Sequence, residues 1–295
     1  MRILNVCVRD YAGLTIRLTD AINRYTQHEA RQLIMATHKW KYPYDIISTD
    51  GGEIEKWINW ADVVNCWGQT TPLRVAQKTP KQLIITHVGS YFRANPEKVH
   101  REALTLGAKE LVCTPDLLLY FEGMSWLPSA VPLDDWNNMK RKHGGKPIVC
   151  QSPSSLKRKH TRKILEQIRL KPNITVDIIN RVQWQRCMKR KAVSDIYIGS
   201  YCQHYGVSSL EAWAMGIPVI SNIKTPAKEA HIREIGYLPY YDVPIEKLSD
   251  AIDALLEDKA LYRKYSELGY NYIMEFHDYH VVAKWFTSYC EELGN

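Results

Sequence analysis

Residues 203–222, QHYGVSSLEAWAMGIPVISN, carry the side chains with the most evident chemistry. Val207, Leu210, Ala214 and Met215 recur at helical spacing, and Gly216 before Ile217-Pro218 is a stop signal. This predicts a short helix capped at its start by Ser208 or Ser209. The backbone N–H groups of 207–209, with the helix dipole behind them, would bind an anion without any side-chain charge. A glycine at 206 would let a phosphate come close to the backbone. Glu211, expected on the first turn, is repelled by a diphosphate. It therefore either accepts hydrogen bonds from ribose hydroxyls or only favours its own helix N-terminus. Spacing alone leaves both readings open.

Two other positions bear chemistry. His87 ends the apolar run KQLIITHV (81–88), as a functional residue or as a hydrogen-bonded structural one. Asp10 follows the first apolar run, where capping the next helix is favoured over orienting an acceptor as a base. Histidines and aspartates show neither H-x-x-x-H nor D-x-D spacing, so no metal site is expected. Three basic stretches, 140–146, 156–163 and 186–191, fall in the second half. The first and third read as solvated surface, and the functional alternative is an anionic acceptor or a membrane surface.

Positioning these residues takes parallel sheets with crossover helices, because short apolar runs alternate with helical patterns. Strands are expected at 2–8, 30–36, 61–67, 81–88, 108–114 and 125–132, with a helix near 14–26. The polar, basic stretch 134–146 reads as a linker, after which strands restart at 146–152, 173–179, 194–200 and 217–222. From 245 the pattern is helical to the end. The expected organisation is two α/β domains, 1–138 and 139–276, followed by a final helix at 277–295.

The 295 residues suffice for two domains, and 24% charged residues with 45% apolar ones argue against extensive disorder. The net charge of +7 favours an anionic partner without demonstrating nucleic-acid binding. Nine Trp and eighteen Tyr suit sugar- or base-binding clefts as well as half-buried packing. Seven scattered cysteines without a CxxC pair fit a reducing cytosol, and no apolar run is long enough to span a membrane. A cytoplasmic protein, free or attached to a membrane surface, is expected.

The stretch SDIYIGSYCQHYGVSSLEAWAMGIPVISN resembles the donor-site segment of retaining glycosyltransferases of family 4, in the GT-B class. IVCQSPSSLKRKHTRKILEQI resembles the opening of that family's second domain, SWLPSAVPLDDW the segment ending its first, and ITHVGS its His-Gly loop. The resemblance implies two Rossmann-like α/β domains with parallel sheets facing across a cleft, 1–138 on the acceptor side and 139–276 holding the donor, with the helix 277–295 crossing back to the first. It implies transfer of a hexose-type sugar from a UDP- or GDP-linked donor, with retention and with no cofactor beyond that donor substrate. The acceptor is left open between a glycan, a lipid-linked sugar and a modified DNA base. By the resemblance Glu211 binds donor ribose, Lys159 contacts the diphosphate, His87 lines the reacting centre, and Gly13 lies in the first glycine-containing loop. Gly206, Val207, Ser208 and Ser209 form the phosphate cradle.

This chain departs from the family pattern at three places. Gln203 stands where relatives place a first glutamate for hydroxyls of the transferred sugar. Leu156 stands where they place an arginine, and His160 where they place a glycine. A nucleotide-sugar epimerase of the same fold and a catalytically inactive nucleotide-sugar-binding module are the alternatives.

Overall fold

The computed structural model describes residues 1–76, 82–169, 171–202 and 204–294. Gln203, and Lys81 at the head of one expected strand, lie outside them. The chain divides into two compact units, Met1–Pro132 with Phe276–Asn295, and Leu133–Glu275.

Unit 1 is built on β1 (Arg2–Arg9), β2 (Glu29–Ala36), β3 (Ile46–Ile47), β4 (Val63–Trp67), β5 (Gln82–His87), β6 (Lys109–Val112) and β7 (Ser125–Trp126). All neighbours pair parallel, in the order β3-β2-β1-β4-β5-β6-β7. Both faces of β1 are covered, which is why it reads as a nearly unbroken apolar run. Its Val6 pairs with Leu33 on one side and Cys66 on the other. Helices α1 (Leu14–Tyr25), α2 (Gly51–Trp60), α3 (Thr71–Ala76), α4 (Gly89–Ala94) and α5 (Pro96–Thr105) are the crossovers. The expected strand at 125–132 shrinks to β7, because Pro128 and Pro132 cannot donate to a ladder.

Unit 2 opens with α6 (Leu133–Asn137), inside the stretch expected to be a linker. Lys140 there donates to the Ser194 carbonyl, so the basic segment is tied into the unit. The strands are β8 (Ile148–Gln151), β9 (Thr175–Ile178), β10 (Ile196–Ile198), β11 (Val219–Ser221) and β12 (Tyr241–Asp242), all parallel, in the order β12-β11-β10-β8-β9. The helices are α7 (Thr161–Ile168), α8 (Trp184–Lys191), α9 (Val207–Ala214), α10 (Thr225–Ile235), α11 (Leu248–Glu257) and α12 (Lys259–Tyr272). Val149, Ile164, Ile198, Ile220 and Ile252 are among the residues that close its core.

The last helix, α13 (Tyr279–Gly294), belongs to unit 1 and packs on α1 through buried Val282, Ala283, Phe286 and Cys290. Among the described residues no helix is long and apolar enough to cross a membrane.

Candidate functional site

In open parallel sheets, ligands bind outside the carboxyl ends of the strands, where the strand order reverses. In unit 2 that point lies between β8 and β10. The loop after β8 carries Lys159 and the segment after β10 carries Ser200 and Gly206. Gln151, at the end of β8 and 1% exposed, holds the first loop: its Nε2 donates to the Lys159 carbonyl at 3.2 Å, and its Oε1 accepts from Thr161 at 2.8 Å. His160 takes the left-handed conformation (φ 53°, ψ 27°) at the start of α7. Lys159 Nζ thereby reaches Ser200 Oγ at 3.2 Å and Cys202 Sγ at 3.9 Å. Ser200 is fixed in turn by Ser221 of β11, whose hydroxyl bonds both its N–H and its carbonyl.

Helix α9 begins beside this ammonium group. The chain enters it through Gly206 in an extended conformation (φ −112°, ψ 169°), with no side-chain cap. The expected serine cap is thus corrected: Ser208 and Ser209 are second and third residues of the helix, and Ser209 is buried. Gly206 is not required by backbone conformation either. A methyl group there would stand 3.6 Å from Lys159 Nζ, so the glycine leaves the space before the ammonium open. Ser209 N–H turns back to the Gly206 carbonyl at 2.8 Å, which leaves Val207 and Ser208 to present the helix-start amides. A cation and a helix N-terminus converge on one point, an arrangement suited to a diphosphate.

Glu211 sits on the second turn of α9, not the first, and is 4% exposed. Its Oε2 takes the ammonium of Lys191 at 2.5 Å, and its Oε1 accepts from the indole of Trp184 at 2.9 Å. Lys191 also donates to the Ser208 carbonyl at 3.0 Å and lies over the Tyr197 ring. Burial alone pushes this ammonium down, but the adjacent Glu211 carboxylate outweighs it and holds it well above the ordinary lysine value. The basic run 186–191, expected to be solvated, thus ends in a fully buried cation. Trp184 and Lys191 lie seven residues apart on α8, two turns along one helix face, and that spacing was the signal available for pairing them with Glu211.

In unit 1, His87 ends β5 and is 0% exposed. Its Nε2 meets Glu110 at 2.6 Å, the other Glu110 oxygen meets His100 at 2.6 Å, and the His87 ring lies 4.4 Å from that of Phe92. The ring is enclosed by these neighbours, and its Nδ1 is buried without a hydrogen-bond partner among the described residues. Asp10 is a helix cap: its carboxylate accepts from the Thr15 and Ile16 N–H groups and from Gln32 Nε2. Burial raises its pKa from the ordinary aspartate value. Gly13 takes the left-handed conformation at the head of α1, where a β-carbon would stand 3.2 Å from the Tyr42 ring.

Four non-glycine residues among those described have positive φ: Ala12, Lys41, His160 and Arg181. They follow β1, β2, β8 and β9, so every one lies in a loop leaving a strand's carboxyl end. Such strain persists where the surroundings enforce it, and it concentrates at ligand sites. Among the described residues, no group of three or more His, Cys, Asp or Glu could hold a metal ion.

No family model matches the sequence, and no curated protein does. Solved structures do match. The chain is similar over 99% of its length to a glycosyltransferase from Rickettsia africae (14% identity, TM-score 0.66, 98% of that chain). It is similar over 99% to HepE of Anabaena in complex with UDP-glucose (12% identity, TM-score 0.72, 100% of that chain). It also matches sucrose-phosphate synthase of Thermosynechococcus elongatus (12% identity, TM-score 0.63, 99% of each chain). The fold is GT-B. Its two units have Rossmann-type strand orders: 3-2-1-4-5-6 in unit 1, extended by β7, and 2-1-3-4-5 in unit 2 when β8 is counted as first.

Proposed function

We propose that the chain is a glycosyltransferase that moves a hexose-type sugar from a nucleoside diphosphate donor to a hydroxyl acceptor. The observation that carries this is the convergence of Lys159 with the start of α9 at the reversal point of the unit 2 sheet. The UDP-glucose held by HepE, a protein of the same fold, supports a UDP-linked donor. Lys159 and the Val207 and Ser208 amides would take the diphosphate, and Glu211 would accept from the ribose hydroxyls with the lone pairs that Lys191 and Trp184 leave. Gln203 would both donate to and accept from hydroxyls of the transferred sugar.

In the reaction the acceptor oxygen bonds to the anomeric carbon, while the bond from that carbon to the diphosphate oxygen breaks. The acceptor's proton passes to the departing diphosphate, on the face from which the acceptor enters, so that configuration is retained. No protein nucleophile is then needed. The protein's contribution is positioning and stabilisation of the charge that develops on the phosphate.

Calorimetric titration of UDP and uridine tests this reading. UDP is expected to bind more tightly than uridine. Lys159→Ala should weaken UDP by about 1.5–3 kcal/mol, the scale of a hydrogen bond to a charged group, and leave uridine unchanged. Equal affinity of the wild type for the two compounds would refute the diphosphate site. Release of UDP from UDP-glucose with an acceptor extract, absent in the Lys159 variant, tests turnover.

A further inference from the structure

The loops after β1 and β2 of unit 1 build a patch that the donor chemistry does not use. His38 is its centre, with ring centroids of Trp40 at 4.8 Å, Tyr42 at 5.4 Å and Tyr11 at 5.6 Å. A turn locks it: Trp40 N–H donates to His38 Nδ1 at 3.2 Å, and Lys41 N–H to the His38 carbonyl at 2.9 Å. Two of the four strained non-glycine residues, Ala12 and Lys41, belong to these loops. Tyr11 is 53% exposed, so an aromatic surface stays open to solvent.

The charges around the rings are of one sign. Arg9, Lys39 and Lys41 are exposed and form no ion pair among the described residues; Lys39 lies over the Trp40 ring at 5.2 Å. Elsewhere in unit 1 several arginines are matched: Arg2 with Asp62, Arg24 with Asp20, Arg31 with Asp45, Arg74 with Glu102 and Arg93 with Asp116. Of the two acids within these loops, Asp10 is buried with its oxygens taken by Thr15, Ile16 and Gln32, and Asp45 is paired with Arg31. Burial, then Arg9 and Lys39, lower the His38 pKa, so the ring stays neutral at pH 7 and can pack against an apolar face.

We propose that this patch is a binding subsite for an anionic sugar, one bearing a phosphate or carboxylate, whose ring stacks on Tyr11 and Trp40 while Lys39 and Lys41 take the charge. Unmatched cations call for an anion, and the exposed Tyr11 with the half-buried Trp40 at the carboxyl ends of β1 and β2 call for a flat apolar face. The cationic surface is short, because Arg31 beyond it is neutralised by Asp45. A polynucleotide usually needs a longer track, about 4–16 nucleotides per binding fold. The sugar-transfer reading enters only in naming this ligand as the acceptor.

Ligand-observed saturation-transfer NMR tests the inference with glucose 6-phosphate, glucuronic acid and glucose as probes, and UDP as the control for the donor site. Either or both anionic sugars should bind more tightly than glucose, and which of them does so identifies phosphate or carboxylate as the recognised group. That binding should be lost at about 0.5 M salt, where charges are screened within a few ångström. Lys39→Gln/Lys41→Gln should weaken it roughly threefold to thirtyfold at low salt. Trp40→Ala should weaken glucose and anionic sugars alike, and in both variants the melting temperature and UDP binding should be kept. Anionic sugars binding no better than glucose, or variants binding as the wild type does, would overturn the proposal. So would oligo(dT) displacing the anionic sugars, which would make the patch a nucleic-acid platform. Loss of UDP binding in the wild type would count against the donor site alone.

Discussion

Lys191 and Glu211 offer the sharpest test of the unit 2 architecture. Their side chains are 0% and 5% exposed and meet at 2.5 Å. Replacing Lys191 by Met keeps most of the side-chain length and removes the ammonium group. Glu211 then remains buried with the Trp184 indole as its remaining partner among those described, and the Ser208 carbonyl loses a donor. Removing one member of a buried pair costs about 3–5 kcal/mol, because the other charge is left uncompensated. At roughly 2–4 °C per kcal/mol for a domain of this size, the melting temperature should fall by about 6–20 °C. The second substitution separates charge from packing. Lys191→Met/Glu211→Gln leaves no buried charge, and its amide can still accept from Trp184, so most of the loss should be recovered. Urea unfolding followed by circular dichroism supplies the four corners of the cycle. A Lys191→Met cost below about 1 kcal/mol, the level of an exposed pair, would refute the reasoning. A double variant no better than the single one would place the cost in packing rather than charge.

Two further outcomes follow from the backbone and from burial. His160 holds a left-handed conformation that costs a residue with a β-carbon about 1–2 kcal/mol, while glycine loses about 0.4–1 kcal/mol more entropy on folding. His160→Gly should therefore stabilise the fold slightly, by roughly 0.5–1 kcal/mol; a loss of stability in thermal melts would mean that the imidazole does packing that outweighs its strain. His277, buried with its Nδ1 donating to the Ser129 carbonyl at 2.8 Å, has its pKa lowered to about 4, chiefly by burial. Because the folded value lies below the unfolded one, its contribution is complete above about pH 6.5 and lost as the pH falls towards 4, up to roughly 3 kcal/mol. Urea midpoints measured from pH 7 to 4.5 should show this slope and lose it in His277→Gln. An unchanged slope in that variant would assign the acid lability to other groups.

Much of the fold is legible in the order of apolar runs, because strands covered on both faces need continuous Val, Ile and Leu, as in RILNVCVR and KQLIITH. What escapes is set by partners distant in sequence. The two-residue strands β3 and β12 exist only because Leu33, Ile34, Ile220 and Ser221 lie alongside to pair with them. Lys191 looks like one more solvated cation in MKRK until α8 turns it toward Glu211. The stretch HKWKY carries no motif of its own, and only the strand order brings it beside the loop after β1.

The departures from the family pattern are where sequence and backbone meet most closely. His160 stands where a glycine was expected, and the backbone there is one that glycine would adopt without strain. If only the chain's path to Lys159 mattered, glycine would serve better and the strain would have no return. On the proposed function, an imidazole next to Lys159, the residue proposed to take the diphosphate, would be placed to take part in binding. His160→Gly should then raise stability while it weakens UDP. A variant more stable and equally tight for UDP would reduce His160 to a tolerated imperfection.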